Sequence, residues 1–309
     1  MLLTRDQVVN EYRNIVGEFC LGDLISIRLL EKLPPYLCRS LALRRMHIEE
    51  NMQSIAFTGV NDGVIRFISV GDKAVGVYTN GPTPPVMSAL PLSGHKSSQN
   101  VNFYIPYIEN AISLLAEIDN TLVEFIAEWT SLIIWTERCS DYSGGLLTSS
   151  TFPNYPHCTF LSHKALRHIP PNNVLGFSSI YALAENIYHE ALHQELAALL
   201  LHRDILKPYY SSTTYQRIPV PWRGSAWEPD RVFHAAYVYS YLVPLREKAV
   251  RKLTLRPCER EFLIESTGHG KTAYDYLLRQ LKQNLQIFED GCAEGIQGIV
   301  TSVSKSRIQ

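Results

Sequence analysis

Residues 178–202 read SSIYALAENIYHEALHQELAALLLH. The stretch holds neither Gly nor Pro and is rich in Ala, Leu and Glu, residues that lose little on entering a helix. It opens with Ser178 and Ser179, either of which suits an N-cap, so the stretch predicts a helix. Inside it, His189-Glu190-Ala191-Leu192-His193 has the form HExxH. A spacing of four on a helix puts two imidazoles one turn apart on the same side, where they can share one metal ion. Positions 185, 189, 192, 193, 196 and 200 fall along one stripe, which predicts that the histidines point inward beside Leu192, Leu196 and Leu200.

Working outward from this helix, His157-Cys-Thr-Phe-Leu-Ser162 reads as a short strand, separated from it by a Pro-containing loop. A strand ahead of a metal-binding helix is a zincin-like order. Residues 140–156 read as a Gly, Ser and Pro-rich loop, and 106–137 as one long apolar helix in which Trp129 and Trp135 are core. Further upstream, alternation in SIAFTG, GVIRFISVG and AVGVYTN between 54 and 92, with turn residues at Asn61-Asp62-Gly63 and Gly71-Asp72, predicts a small antiparallel meander closed by the Pro-rich 81–91. Residues 5–50 read mainly as helix, broken at Pro34-Pro35. Downstream come an extended stretch at 213–221, a helix over Pro229 to Lys252 with Pro229 near its first position, a final helix over 271–289 and a polar tail. The expected fold is α+β and mostly helical: 1–150 an N-terminal region able to form a peptide groove, 151–290 a zincin-like catalytic region, 291–309 a tail.

Composition narrows the function classes. A chain of 309 residues with 46% hydrophobic residues can bury a substantial core. A formal net charge of −1 provides no long-range field for nucleic acid or an anionic membrane, and the basic run RKLTLRPCER at 251–260 reads as a solvated face. No segment offers about 18 uncharged apolar residues, and the start MLLTRDQVVNEYRN lacks the pattern of a leader, so a cytoplasmic protein is expected. The six cysteines are scattered without a CxxC pair, as expected of reduced thiols.

Two histidines leave a divalent ion underliganded, and His234 is the best candidate for a third donor. It lies on an inward stripe with Tyr237, Val238, Tyr241 and Leu245. Glu228 is an alternative, although its place before Pro229 favours a helix-entry role. Glu185, one turn before His189, either orients that imidazole or pairs with a basic side chain. His157 and His163 flank the short strand. Two chemistries suit such a site. In one, a zinc metallopeptidase, Glu190 is the general base that deprotonates a metal-bound water. In the other, a ferrous ion on three protein ligands leaves positions for a 2-oxo acid and oxygen, and an arginine receives the distal carboxylate. Arg223 and Arg231 are placed to do so, and helix-entry salt bridges are the competing role for both.

The stretch AENIYHEALHQEL, followed by PWRGSAWEPDRVFHAAYVY, resembles the HExxH-motif peptide-modification proteins of ribosomal peptide natural-product pathways. The resemblance covers roughly 157–245. It implies a dioxygenase dependent on Fe(II), 2-oxoglutarate and O2 that hydroxylates a side chain of a precursor peptide, commonly at the β-carbon. By the same resemblance His189, His193 and His234 bind metal, with Arg223 as the 2-oxoglutarate clamp and Arg231 as its alternative. Glu190 then organises the surroundings of the metal instead of activating water.

Overall fold

The computed structural model describes residues 65–71, 73–79, 92, 94–151, 157–200, 207 and 217–288. The helices expected over 5–50, the first strand of the meander, the Pro-rich 81–91 and the tail lie outside them. The chain divides into two units. Among the described residues the first spans 65–169 and Val174–Glu195, and the second Pro170–Asn173 and 196–288.

The first unit is built on a mixed sheet. β1 (Ile65–Val70) and β2 (Lys73–Tyr78) form the expected hairpin, in register from Ile65↔Tyr78 to Val70↔Lys73. Gly71 turns the chain in the left-handed region at φ 64°, which costs a glycine nothing. After β3 (His95–Ser97), two helices, α1 (Val101–Ile118) and α2 (Asn120–Trp129), cross over to β4 (Leu132–Arg138), which runs parallel to β2. β3 lies antiparallel against the end of β4, with His95 opposite Arg138. β5 (Ser149–Ser150) and β6 (Cys158–Leu161) complete the order β1-β2-β4-β6-β5; β6 is parallel to β4 and β5 antiparallel to β6.

The single helix expected over 106–137 is thus two helices and a strand. Asp119 leaves helical geometry (φ −169°, ψ 119°), and its carboxylate accepts from the Thr121 N–H at 3.1 Å, ending α1 and capping α2. Leu132-Ile133-Ile134-Trp135-Thr136 is buried throughout, and a continuous apolar run of that length carries no period to separate strand from helix. Its β-branched and aromatic side chains suit a central strand flanked on both edges. Trp129 and Trp135 are core, as expected, at 0% and 1% exposure.

The chain enters β6 through His157, a non-glycine residue at φ 60°. All its backbone groups are used: its N–H donates to Gln194 Oε1 (2.9 Å) and its carbonyl accepts from Ser131 N (2.9 Å) and Leu132 N (3.1 Å). The ring stacks on Trp129 with centroids 5.6 Å apart. It therefore belongs to the core and does not line a cleft, while His163 on the next turn is exposed. Burial drives the His157 pKa down to about 3, against backbone hydrogen bonds to Trp129 and Glu128 that raise it. Between about pH 6.5 and 3 the unfolded chain binds a proton here that the folded chain refuses, so stability falls as pH falls through that window. At pH 5 this residue alone removes roughly 2 kcal/mol relative to pH 8. Asn tolerates the same left-handed backbone, so His157→Asn should lose that part of the acid sensitivity; parallel urea curves at the two pH values for variant and wild type check it.

α3 (Ile180–Leu200) is the motif helix. Ser179 caps it, its hydroxyl accepting from the Ala182 N–H at 3.4 Å.

In the second unit, β7 (Ile218–Val220) and β8 (Ser225–Trp227) form a hairpin whose turn ends at Gly224, φ 61°. α4 (Pro229–Lys252) packs against α5 (Pro257–Gln283). α5 begins well before the expected 271, with Pro257 at its start. Gly268 and Gly270 disguised its first half, and Gly270 has a packing reason: a Cβ there would lie 2.6 Å from Arg246 Nη1. Arg246 is completely buried, donating to Ser266 O at 2.9 Å and Pro170 O at 2.6 Å. Cys139, Cys158 and Cys258 carry free thiols. No described helix is long and apolar enough to cross a membrane.

Candidate metal centre

From Tyr181 to Leu196 every residue of α3 is buried except two, His189 and His193, which are half-buried. The one-sided helix expected from the stripe is instead enclosed on all sides over these four turns, and the two imidazoles are what it turns most toward solvent. Their Nε2 atoms are 2.9 Å apart, with ring centroids at 4.8 Å and planes inclined by 33°. Two nitrogens bound at about 2.0–2.1 Å to one ion stand roughly 2.9 Å apart at a right angle and about 3.4 Å apart at the tetrahedral angle. The pair therefore fits adjacent positions on a single divalent ion. Without an ion, the same separation accommodates an N–H···N hydrogen bond between neutral rings.

Polar groups inside the helix brace it against the sheet. Asn186 directs its amide nitrogen at three carbonyls, His168 O (2.7 Å), Ala182 O (2.8 Å) and Ala165 O (3.2 Å), which fixes its Oδ1 as an acceptor. Ser149 Oγ on β5 lies 3.1 Å from that Oδ1 and 2.6 Å from Glu190 Oε1. One hydroxyl hydrogen faces two acceptors. An ionised Glu190 takes it; a protonated Glu190 donates into Ser149 Oγ, whose hydrogen then goes to Asn186 Oδ1, and every group is satisfied. Burial raises the Glu190 pKa to about 7, while the Ser149 hydrogen bond pulls it down. Gln194, the residue after the motif, donates to Cys158 O at 3.1 Å and to the Thr151 hydroxyl while accepting from His157 N–H, so it ties the helix to both β6 and the end of β5. Glu185 is buried and accepts from Tyr181 OH at 3.1 Å.

The second unit carries the remaining candidates. His234 is half-buried on α4, and burial lowers its pKa while Asp230, one turn earlier, raises it. The net result favours the neutral imidazole, the form that ligates. Arg231 precedes His234 by three positions, hence by one turn on the same face. Arg231 and Arg223 both lie over the indole of Trp227, with Cζ 4.6 Å and 5.9 Å from its centroid, and both are exposed. Among the described residues neither guanidinium is in an ion pair, so the helix-entry salt bridge belongs to Glu228 instead, whose Oε1 is 2.8 Å from Arg217 Nε.

The structure thus brings together His189 with His193, Glu190 with Ser149 and Asn186, and Arg223 with Arg231. Among the described residues no three His, Cys, Asp or Glu side chains gather in one place. The sequence assigned no role to Ser149, Asn186 or Gln194. Gln194 alone had a signal there, as the polar residue directly after His193. No protein-family model and no curated protein matches this chain.

Proposed function

We propose that the protein is an Fe(II)- and 2-oxoglutarate-dependent dioxygenase that hydroxylates a side chain of a ribosomally made precursor peptide, at the β-carbon, in the cytoplasm. The observation that carries the reading is the pair of Nε2 atoms 2.9 Å apart, on the two residues that are not buried between Tyr181 and Leu196. Supporting it are His234, whose pKa burial lowers, and two guanidiniums that lie over one indole and are not engaged in ion pairs among the described residues. The choice of hydroxylation over hydrolysis rests on the resemblance of 157–245 to the peptide-modification proteins.

On this reading His189, His193 and His234 hold the iron. When bound with 2-oxoglutarate and O2, it supplies the oxidising power that converts a C–H bond to C–OH while 2-oxoglutarate becomes succinate and CO2. The chain's own part is positioning. The closed packing of α3 keeps bulk water from the far side of both ligands and holds their rings in one geometry. Arg223 or Arg231 receives the distal carboxylate, for which a planar fork of donors is suited. Ser149 and Asn186 hold the Glu190 side chain toward β5.

One observation favours a zinc peptidase as the second reading: a carboxyl with a pKa of about 7 in the HExxH position is well tuned for a general base. The test is the mass of a candidate precursor peptide after incubation with Fe(II), 2-oxoglutarate and air. Gain of one oxygen matched by succinate supports hydroxylation; a shortened peptide supports the peptidase. Loss of the clamping arginine should raise the 2-oxoglutarate concentration needed for half-maximal turnover by about tenfold or more, since a charge-assisted contact is lost. Arg223→Ala and Arg231→Ala, compared by succinate assay, identify it, and an unchanged requirement in both would remove the clamp from this segment.

A further inference from the structure

β5, which presents Ser149 to Glu190, has only two residues paired in the sheet, Ser149↔Leu161 and Ser150↔Phe160. Two backbone pairs are a weak hold on an edge strand, and side chains supply the rest. Downstream, Thr151 is held by Cys158 O and by Gln194. Upstream, Ser162 bonds Leu147 O through its hydroxyl (2.5 Å) and Thr148 O through its N–H (3.0 Å). The Leu147 N–H donates to Nε2 of His95 at 3.2 Å.

His95 comes from a distant part of the chain, on β3, and is buried at 5% exposure. Its Nδ1 is 3.2 Å from Leu92 O, a carbonyl that can only accept. Nδ1 therefore carries the hydrogen and Nε2 the lone pair, the arrangement that the Leu147 N–H requires. The ring is also fixed sterically: it lies tilted against Tyr142 at 5.5 Å, and Tyr142 covers Gly94 so closely that a Cβ there would run into its ring. Gly94, at φ 81°, in turn accepts from Cys139 N through its carbonyl at 2.8 Å. The imidazole thus joins β3, paired along its length with β4, to the start of a weakly paired strand, two residues ahead of the hydroxyl that bonds Glu190.

We infer that His95 is a positioning residue of the motif-helix site: its Nε2 fixes the backbone at Leu147 and thereby holds Ser149 Oγ against Glu190. The inference rests on reading the HExxH helix as the working site, and it adds a residue from outside the motif region to that site. Three substitutions in the full chain separate this role from general packing. His95→Gln places an oxygen near the reach of Nε2, His95→Asn keeps a donor for Leu92 O but stops short of Leu147, and His95→Leu has neither.

The first readout is the infrared carboxyl band of Glu190 in protein carrying isotope-labelled glutamate, assigned by its loss in Glu190→Gln, with Ser149→Ala giving the band without the hydroxyl partner. The second is hydrogen exchange of the segment 147–151. The expected result is that His95→Asn and His95→Leu move the band to the Ser149→Ala position and speed exchange of 147–151 about tenfold. His95→Gln should keep the wild-type band, and exchange in β6 should stay as in wild type in all three. A wild-type band in His95→Asn and His95→Leu, or equal acceleration of β3, β4 and β6 in all three variants, would overturn the inference. Neither readout needs a metal or turnover, so a wild-type protein that makes no succinate would remove the hydroxylase reading and leave this comparison decisive.

Discussion

His193→Ala is expected to lower the affinity for a divalent metal more than about a hundredfold, because removing a ligand costs more than removing the outer groups that orient one. His189→Ala should do the same. Both rings belong to a stretch, Tyr181 to Leu196, whose other residues are all buried, so neither can be replaced by a neighbouring donor without turning the helix. The folded state should survive either change, since each imidazole is half-buried and α3 stays anchored by Leu192, Leu196, Asn186 and Gln194. Metal titration followed by calorimetry, with circular dichroism as the control for folding, reads both quantities. His234→Ala belongs in the same series: a loss of similar size would establish it as the third ligand, and full retention of affinity would exclude it.

Glu190→Gln should separate the two chemistries by the widest margin. Gln has the shape of the carboxyl and keeps a carbonyl oxygen for the Ser149 hydroxyl 2.6 Å away, so packing and metal binding should be preserved. A hydroxylase draws its oxidising power from the cofactors and should retain much of its succinate formation. A peptidase that uses Glu190 to take a proton from water loses its base, and general-base catalysis is worth roughly a hundredfold to ten-thousandfold. Parallel assays of the variant for 2-oxoglutarate turnover and for peptide cleavage show which activity is spared.

The motif helix was legible because it satisfied several independent rules together: no breakers, a serine cap and two histidines at helical spacing. The strand before it and the helix starting at Pro229 were legible for the same reason, each bounded by turn or capping residues. What escaped were features settled by tertiary packing. Leu132 to Arg138 carries no period that distinguishes strand from helix, and only its position between β2 and β6 makes it a strand. The first half of α5 was hidden by Gly268 and Gly270, and the room that Gly270 leaves for the Arg246 guanidinium depends on a residue on another helix. The full enclosure of α3 was likewise invisible, because hydrophobic periodicity records one buried face and not how many neighbours surround a helix. Its buried polar residues Asn186, Glu190 and Gln194 make sense only against Ser149, Thr151 and Cys158, which local sequence does not connect to them.

Adding Fe(II) anaerobically to the metal-free protein, then 2-oxoglutarate, and recording the visible spectrum before and after oxygen is admitted decides between the two chemistries at the metal. A hydroxylase gives a visible charge-transfer band on addition of 2-oxoglutarate, abolished in His189→Ala and His193→Ala, and succinate once oxygen enters; this is the expected result. Absence of the band, with tight zinc binding and peptide cleavage that disappears in Glu190→Gln, would rule the hydroxylase out.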